Sequence, residues 1–387
     1  MTVRAYVIGL ALILYSLTNP AFSVHLGKST ATIYIRADGS VHPPDAPIAS
    51  TDNVTYTFTG NVNDSIVIER DNITIDGAGH TLQGNGKWAC VNLTGRRNVT
   101  IKNMEICNFY YGIYLYGSTC ITLFNNSVKN NEWDGIYLLN SIGNALCANT
   151  ISSNKRYGIM LSESSNNKII HNNFIDNANP AYTFDSFDNV WNDDYPSGGN
   201  YWSNYVGIDL YNGSNQNETG GDGIGDTPYV IDSYNHDNYP LMSRFNTFVA
   251  EHWDGVTYNI DVVSNSSVSN FKLTESIIPE FPSTISLNVS GPDNTIGFCR
   301  ITIPNIIVQD LWRGSYTVLL NGQPWPFSNW TDIINTYIYI NYTHSTHEIT
   351  IMPEFPSTLT LAVFTLTTLI ATALLKTRRK TKFPDFP

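Results

Sequence analysis

A phrase that returns every 23 residues constrains this chain more than any other feature. Gly112-Ile113-Tyr114-Leu115 recurs as Gly135-Ile136-Tyr137-Leu138 and as Gly158-Ile159-Met160-Leu161, and Cys90-Val91-Asn92-Leu93 is a weaker copy upstream. A second phrase keeps the same beat: Ile101-Lys102-Asn103, Leu123-Phe124-Asn125, Leu146-Cys147-Ala148 and Ile170-His171-Asn172. A third apolar position follows at Ile106, Val128, Ile151 and Ile175. A fixed period in the twenties means a solenoid. Apolar and polar residues alternate inside each period, so the pieces are short strands. Asn, Ser, Gly and Asp, which are turn residues, separate them. A leucine-rich repeat would need a Leu-x-x-Leu-x-Leu signature that is missing. About three strands per coil with Asn at the corners predicts a parallel β-helix. The Gly opening each coil suits a corner with positive φ. Asn103, Asn125 and Asn172 are expected at one corner and Asn126, Asn149 and Asn173 at the next, where stacked amides bond from coil to coil.

Around this core the chain divides into four parts. Residues 1–23 carry Arg4, an apolar run from Tyr6 to Leu17 and the small-residue site Ala21-Phe22-Ser23, the pattern of a secretory signal. Residues 24–243 are read as the β-helix, with an N-terminal cap and, beyond Ala178, a C-terminal cap rich in Asp, Gly and aromatics. Residues 248–352 alternate in short segments between turn clusters, which predicts a β-sandwich. In 353–387, Pro353-Glu354-Phe355-Pro356 precedes an uncharged stretch from Ser357 to Leu375, which as a helix spans about 28 Å, enough to cross a bilayer. Lys376, Arg378, Arg379, Lys380 and Lys382 then stay cytoplasmic, leaving the bulk of the chain outside. The expected fold is all-β with a C-terminal transmembrane helix. The net charge of −12 argues against nucleic acid, which requires a basic footprint. Asn-x-Ser/Thr sequons from Asn53 to Asn341 suit an exported, glycosylated surface. The five cysteines match no zinc spacing and leave bridges between coils open.

Ile73-Thr74-Ile75-Asp76-Gly77-Ala78-Gly79, the Gly-Ile-Tyr-Leu coils and the Asn corners resemble NosD-type right-handed parallel β-helix proteins. That class is described as carbohydrate-binding or sugar-hydrolysing. Gly199-Asn200-Tyr201-Trp202 and the stretch from Asp222 to Tyr229 look like the tail of archaeal members. The resemblance spans about residues 31–243 and implies a right-handed coil. The family name also implies copper handling, but Met and His do not cluster here and the cysteines are dispersed, whereas copper(I) demands soft-ligand clusters. The Pro-Glu-Phe-Pro segment, span and basic cluster resemble archaeal sorting signals that are cut and replaced by lipid, which implies a sortase-like processing enzyme as partner. The same hexapeptide stands at Pro279–Thr284 with no span behind it, so a plain membrane anchor is an equal reading.

Coil stacking sets neighbouring outward residues about 4.8 Å apart. Read down the columns, Trp88, Tyr110, Trp133 and Arg156 align, as do Tyr111, Asp134 and Tyr157, and Tyr114 with Tyr137. Partly exposed aromatics of this kind stack on sugar rings, and Arg156 or Asp134 would bond hydroxyls. The competing reading is packing beneath a loop or against the second domain. A hydrolase wants two carboxylates about 5.5 Å apart, or about 6.5–9.5 Å for inversion. Glu105, Glu132, Asp134, Glu163 and Asp176 form no such pair in adjacent coils, and Asp185, Asp188, Asp193 and Asp194 read as turn acids of the cap. Asp222-Gly-x-Gly-Asp226, with Asp209 and Asn217 nearby, offers hard oxygens and predicts a calcium site, against a purely structural turn. The expected function is binding of a polysaccharide or surface glycan, or a structural envelope role. The alternative is a polysaccharide lyase or glycoside hydrolase on the same face, and copper handling comes third.

Overall fold

The computed structural model describes residues 32–86, 89–251, 255–276 and 282–354. The signal at 1–23, the span and basic tail beyond Glu354, and Trp88 lie outside the described residues. Among those described, no helix is long and apolar enough to cross a membrane.

Most of the described chain is a right-handed β-solenoid with three parallel faces. The first face includes Tyr111–Tyr116, Ile136–Leu139, Tyr157–Ser162 and Asn179–Phe184. The second includes Val99–Lys102, Thr122–Phe124, Ala145–Cys147 and Lys168–Ile170. The third includes Glu105–Cys107, Ser127–Lys129, Thr150–Ser152, Asn173–Ile175 and Tyr201–Trp202. Register follows the repeat: Ile113, Ile136 and Ile159 pair in line on the first face, and Leu123, Leu146 and Ile169 on the second. All six are fully buried in one continuous core. Burial of such an apolar file stabilises the stack at about 25 cal/mol per Å² removed from water.

Three sequence expectations change. On the last full coil the second face carries Ile169-Ile170-His171, one place earlier than the phrase suggested, and Phe174, not Ile175, continues the third-face file of Ile106, Val128 and Ile151. Asn172 accordingly joins Asn126 and Asn149, while His171 continues the corner of Asn103, Asn125 and Ala148, all with φ between 52° and 58°. The doublets Ile169-Ile170 and Asn172-Asn173 read equally well in either register, and only the pleat, which sends alternate residues inward, decides. The coil glycines also have another reason: Gly112, Gly135 and Gly158 are not left-handed. A Cβ on Gly135 would stand 2.7 Å from the Gly158 carbonyl oxygen and 2.9 Å from Ile151 Cγ2, so close approach of coils excludes any side chain.

The corners hold buried ladders. Asn126 Nδ2 donates to Asn149 Oδ1 at 3.0 Å, Asn149 to Asn172 at 2.9 Å, and Asn172 to Asn200 at 3.0 Å. A second ladder joins Asn131, Asn154 and Asn177, and a third joins Asn144, Asn167 and Asn189. Asn200 is the last rung of the first ladder, and it accounts for the Gly-Asn-Tyr-Trp stretch. Its amide N–H and the Trp202 indole N–H both donate to Asp237 Oδ2, at 2.7 and 2.8 Å. A Cβ on Gly199 would fall 1.9 Å from Asp237 Oδ1.

Two short antiparallel pairs, Tyr211–Asn212 with Glu218–Thr219 and Tyr229–Val230 with His236–Asp237, lie in the cap, and the strands from Phe245 onward form two five-stranded antiparallel sheets that share one hydrophobic core. The sequence pattern passed over the helix Asn305–Trp312 there, which buries Ile307, Val308 and Trp312. Arg300, wholly buried, reaches from this unit to the carbonyls of Asp222, at 2.6 Å, and Pro196 in the solenoid cap. Cys107, Cys120, Cys147 and Cys299 are free thiols.

Candidate functional site

The predicted columns come together on the first face. Successive coils place Tyr110, Trp133 and Arg156 one above the other, linked by Trp133 N–H to Tyr110 carbonyl and Arg156 N–H to Trp133 carbonyl bonds, each 2.9 Å. Tyr110 and Trp133 stack at 5.4 Å with an 11° interplanar angle. The Arg156 guanidinium lies 4.7 Å from the Trp133 centroid and 4.5 Å from that of Tyr157. Tyr157 in turn stacks on Tyr182 at 4.9 Å. Tyr111, Tyr114 and Tyr137 form a second cluster beside this column, with centroids 5.3–5.7 Å apart.

This geometry revises the chemistry expected of the stripe. Neighbouring coils cover both faces of Trp133, so the exposed 36% of the residue is its edge. The column therefore offers edges and polar tips rather than open ring faces. Among the described residues no hydrogen-bond partner stands against the Trp133 indole N–H or the hydroxyls of Tyr110, Tyr137 and Tyr182. Burial pushes the Tyr111 phenol up to about 12, so it stays a donor at neutral pH.

Asp134 departs from expectation. It is fully buried and does not reach a ligand on the surface. Its Oδ1 accepts the Tyr157 amide at 3.2 Å, and its Oδ2 stands 3.6 Å from Arg156 with no hydrogen bond. Burial raises its pKa to about 6 against the opposing pull of Arg156. The side chain sits beneath the stripe and positions Arg156. Three other carboxylates are paired with lysines: Glu132 with Lys155 at 2.7 Å, Glu105 with Lys129 at 3.0 Å and Asp193 with Lys168 at 2.5 Å, each across one coil step. Glu163, Asp176, Asp185, Asp188 and Asp194 hold left-handed corners.

The acids predicted to bind calcium close loops. Asp209 accepts the amides of Asp222 and Gly223, both at 2.9 Å, and burial raises its pKa to about 6. Asp222 accepts the Ile224 amide at 2.9 Å, and Asp226 accepts those of Leu210 and Tyr211. Asn217 is exposed at the edge of this cluster. Among the described residues no three His, Cys, Asp or Glu side chains stand close enough to share an ion. In this arrangement the three acids brace the loops through backbone amides.

Sequence reasoning missed the continuation of the stripe. Tyr182 pairs in register with Met160, and Phe184 with Ser162, on the strand Asn179–Phe184. Pro180-Ala181 stands there in place of Gly-Ile, so the repeat had seemed to end at Ala178. The outward alternation of Tyr182 and Phe184, 42% and 56% exposed, was the available signal.

Residues 27–207 match the family model described as "Periplasmic copper-binding protein (NosD)". The chain is a parallel β-helix protein. This β-helix protein is also similar to solved phage tailspikes. The enzymatically active domain of bacteriophage CBA120 tailspike protein 2 is 12% identical, with 76% of this chain and 58% of that chain covered and a TM-score of 0.24. The Dettilon tailspike protein is 11% identical, covering 77% and 86%, TM-score 0.17. The phiAB6 tailspike, solved with three-repeated oligosaccharides of Acinetobacter baumannii surface polysaccharide, is 8% identical, covering 75% and 74%, TM-score 0.16. Such scores carry no conclusion about activity, and this chain spans little more than half of the first domain. No curated protein matches it.

Proposed function

We propose that the first face binds an extended polysaccharide at the cell exterior. The observation that carries this reading is the column Tyr110, Trp133, Arg156, Tyr157 and Tyr182. It runs across consecutive coils with its hydrogen-bonding edges turned to water on a rigid sheet. Sugars present hydroxyls around their rims, and edge-on aromatic donors with one guanidinium match that chemistry. A scaffold already ordered by ladders loses little entropy on binding. Export and surface attachment rest on the sequence of the two termini.

The acids beside the aromatic column do not favour a hydrolytic reading. Asp134 is buried, and Glu132 and Glu105 are neutralised by lysines of the next coil. Copper, named in the family description, does not fit the donor set either. Cys107 and Cys299 are buried singly, and His171 is stacked on Phe245 at 4.6 Å.

Trp133→Ala together with Tyr137→Ala is expected to lower retention of the protein on its polysaccharide at least tenfold, with the melting temperature little changed. Retention equal to that of the parent protein overturns the reading.

A further inference from the structure

A cleft opens at the last coil, where the aromatic column ends. It encloses about 440 Å³ and is lined by Thr183, Phe184, Asp185, Phe187, Asp232 and Tyr234, with Ser186 at its base. That volume lies in the range of about 300–1,000 Å³ typical of small-molecule sites. Two of its rings are more open than any in the column: Phe184 is 56% and Tyr234 69% exposed, while Phe187, at 41%, matches Tyr182. Phe187 and Tyr234 meet edge to face at 5.2 Å and 83°, so one ring presents a face where the other presents an edge. This is the open platform that the self-stacked column lacks. Exposed aromatic surface of this kind marks a contact.

The cleft is continuous with the proposed binding face. Tyr182, which stacks on Tyr157, and Phe184, which forms the cleft, lie two residues apart on one strand and point outward together. The step from coil to coil, about 4.8 Å, is close to the advance of one hexopyranose in an extended chain.

The charges decide what class of sugar fits. The lining holds two carboxylates, Asp185 and Asp232, and no Lys or Arg. Hydrogen bonds from the Tyr234 amide at 2.7 Å, the Asn235 amide at 2.9 Å and the Thr183 hydroxyl fix Asp232 in place. Asn235 Nδ2 adds bonds to both Asp232 oxygens, at 3.1 and 2.9 Å, so Asp232 acts as a fixed charge that repels uronates, sulfates and phosphates, and Asp185 is the carboxylate left to accept sugar hydroxyls. The chain's net charge of −12 adds to that repulsion at long range.

We infer that this cleft is a saccharide subsite that stacks a neutral hexopyranose unit of the same polymer that lies along the first face. This deepens the reading under "Proposed function" and rests on it.

The test titrates the full-length protein, in detergent where needed, with neutral oligosaccharides of graded length and with polyuronic oligosaccharides of matching lengths. The panel comprises the parent protein, Phe184→Ala, Tyr234→Ala and Trp133→Ala. Affinity for neutral chains is expected to rise with length until one chain spans column and cleft. Phe184→Ala and Tyr234→Ala should then cost about tenfold for long chains and little for short ones, while Trp133→Ala weakens both. If the cleft variants match the parent while Trp133→Ala still loses binding, the subsite is wrong and the first-face reading stands. Tighter binding of polyuronates overturns the inference of a neutral sugar. If the parent protein binds no saccharide of either class, both readings fall. Circular dichroism of each variant separates lost binding from lost fold.

Discussion

Asp134 shows how one residue can change role between sequence and structure. Its column position between Tyr111 and Tyr157 was legible, but its depth was not, because the pleat and the overlying Arg156 decide burial. A buried acid whose pKa is raised to about 6 binds protons in the folded state that the unfolded chain, near 3.9, has already released. Its contribution to stability therefore falls as pH rises from about 4 to about 6 and stays lower above that range. Asp134→Asn has no such titration. Relative to the parent, it should gain about 1–3 kcal/mol between pH 4.5 and 7.5, the scale of an incompletely satisfied buried polar group. Urea melts at the two pH values check this, and parallel behaviour of the two proteins rules it out.

The coil corner is what makes the fold at the scale of elements. Asn149 accepts the backbone and side-chain N–H of Asn126, both at 3.0 Å, and donates to the Leu123 carbonyl at 2.8 Å and to Asn172. Asn149→Ala strands several of these buried groups, and each costs about 1–3 kcal/mol. A loss of at least about 3 kcal/mol in chemical denaturation is expected, and a loss below about 1 kcal/mol would count against the ladder as a stabilising device. The glycines separate two physical causes. Gly135→Ala forces a Cβ against the next coil and should cost about 1–3 kcal/mol or more through overpacking. Gly117→Ala has open space but φ +61°, and should cost about 1–2 kcal/mol from the left-handed backbone alone. Equal losses with no change in coil spacing, read from crystals of both variants, would remove the distinction.

At the scale of the whole molecule, the solenoid and the two C-terminal sheets meet through a buried apolar cluster of Ala148, Ile224, Leu241, Phe245 and Val263 and through buried polar groups. Arg300 inserts into the cap and lies over Tyr337 at 5.0 Å, while Asn173 exchanges two hydrogen bonds with the Phe245 backbone, at 2.7 and 2.8 Å. Arg300→Met leaves the Asp222 and Pro196 carbonyls without their donor and should cost about 2–4 kcal/mol. Calorimetry should then resolve two transitions where the parent shows one. A single transition in the variant means the units are coupled through other contacts. The 23-residue period alone determined the parallel solenoid, because stacking identical coils is the only way such short alternating strands bury their apolar files. It also brought Tyr110, Trp133 and Arg156 into one column. The tertiary structure decided everything that depends on depth and on ring orientation. Those matters are the burial of Asp134, the use of Asp209, Asp222 and Asp226 by backbone amides, and the face-to-face stacking that leaves the edges of the stripe exposed. It also decided the extension of the stripe through Tyr182 and Phe184, where Pro180-Ala181 hid one more coil. Spacing in a sequence reports which residues share a face, whereas exposure and partners depend on residues dozens of positions away.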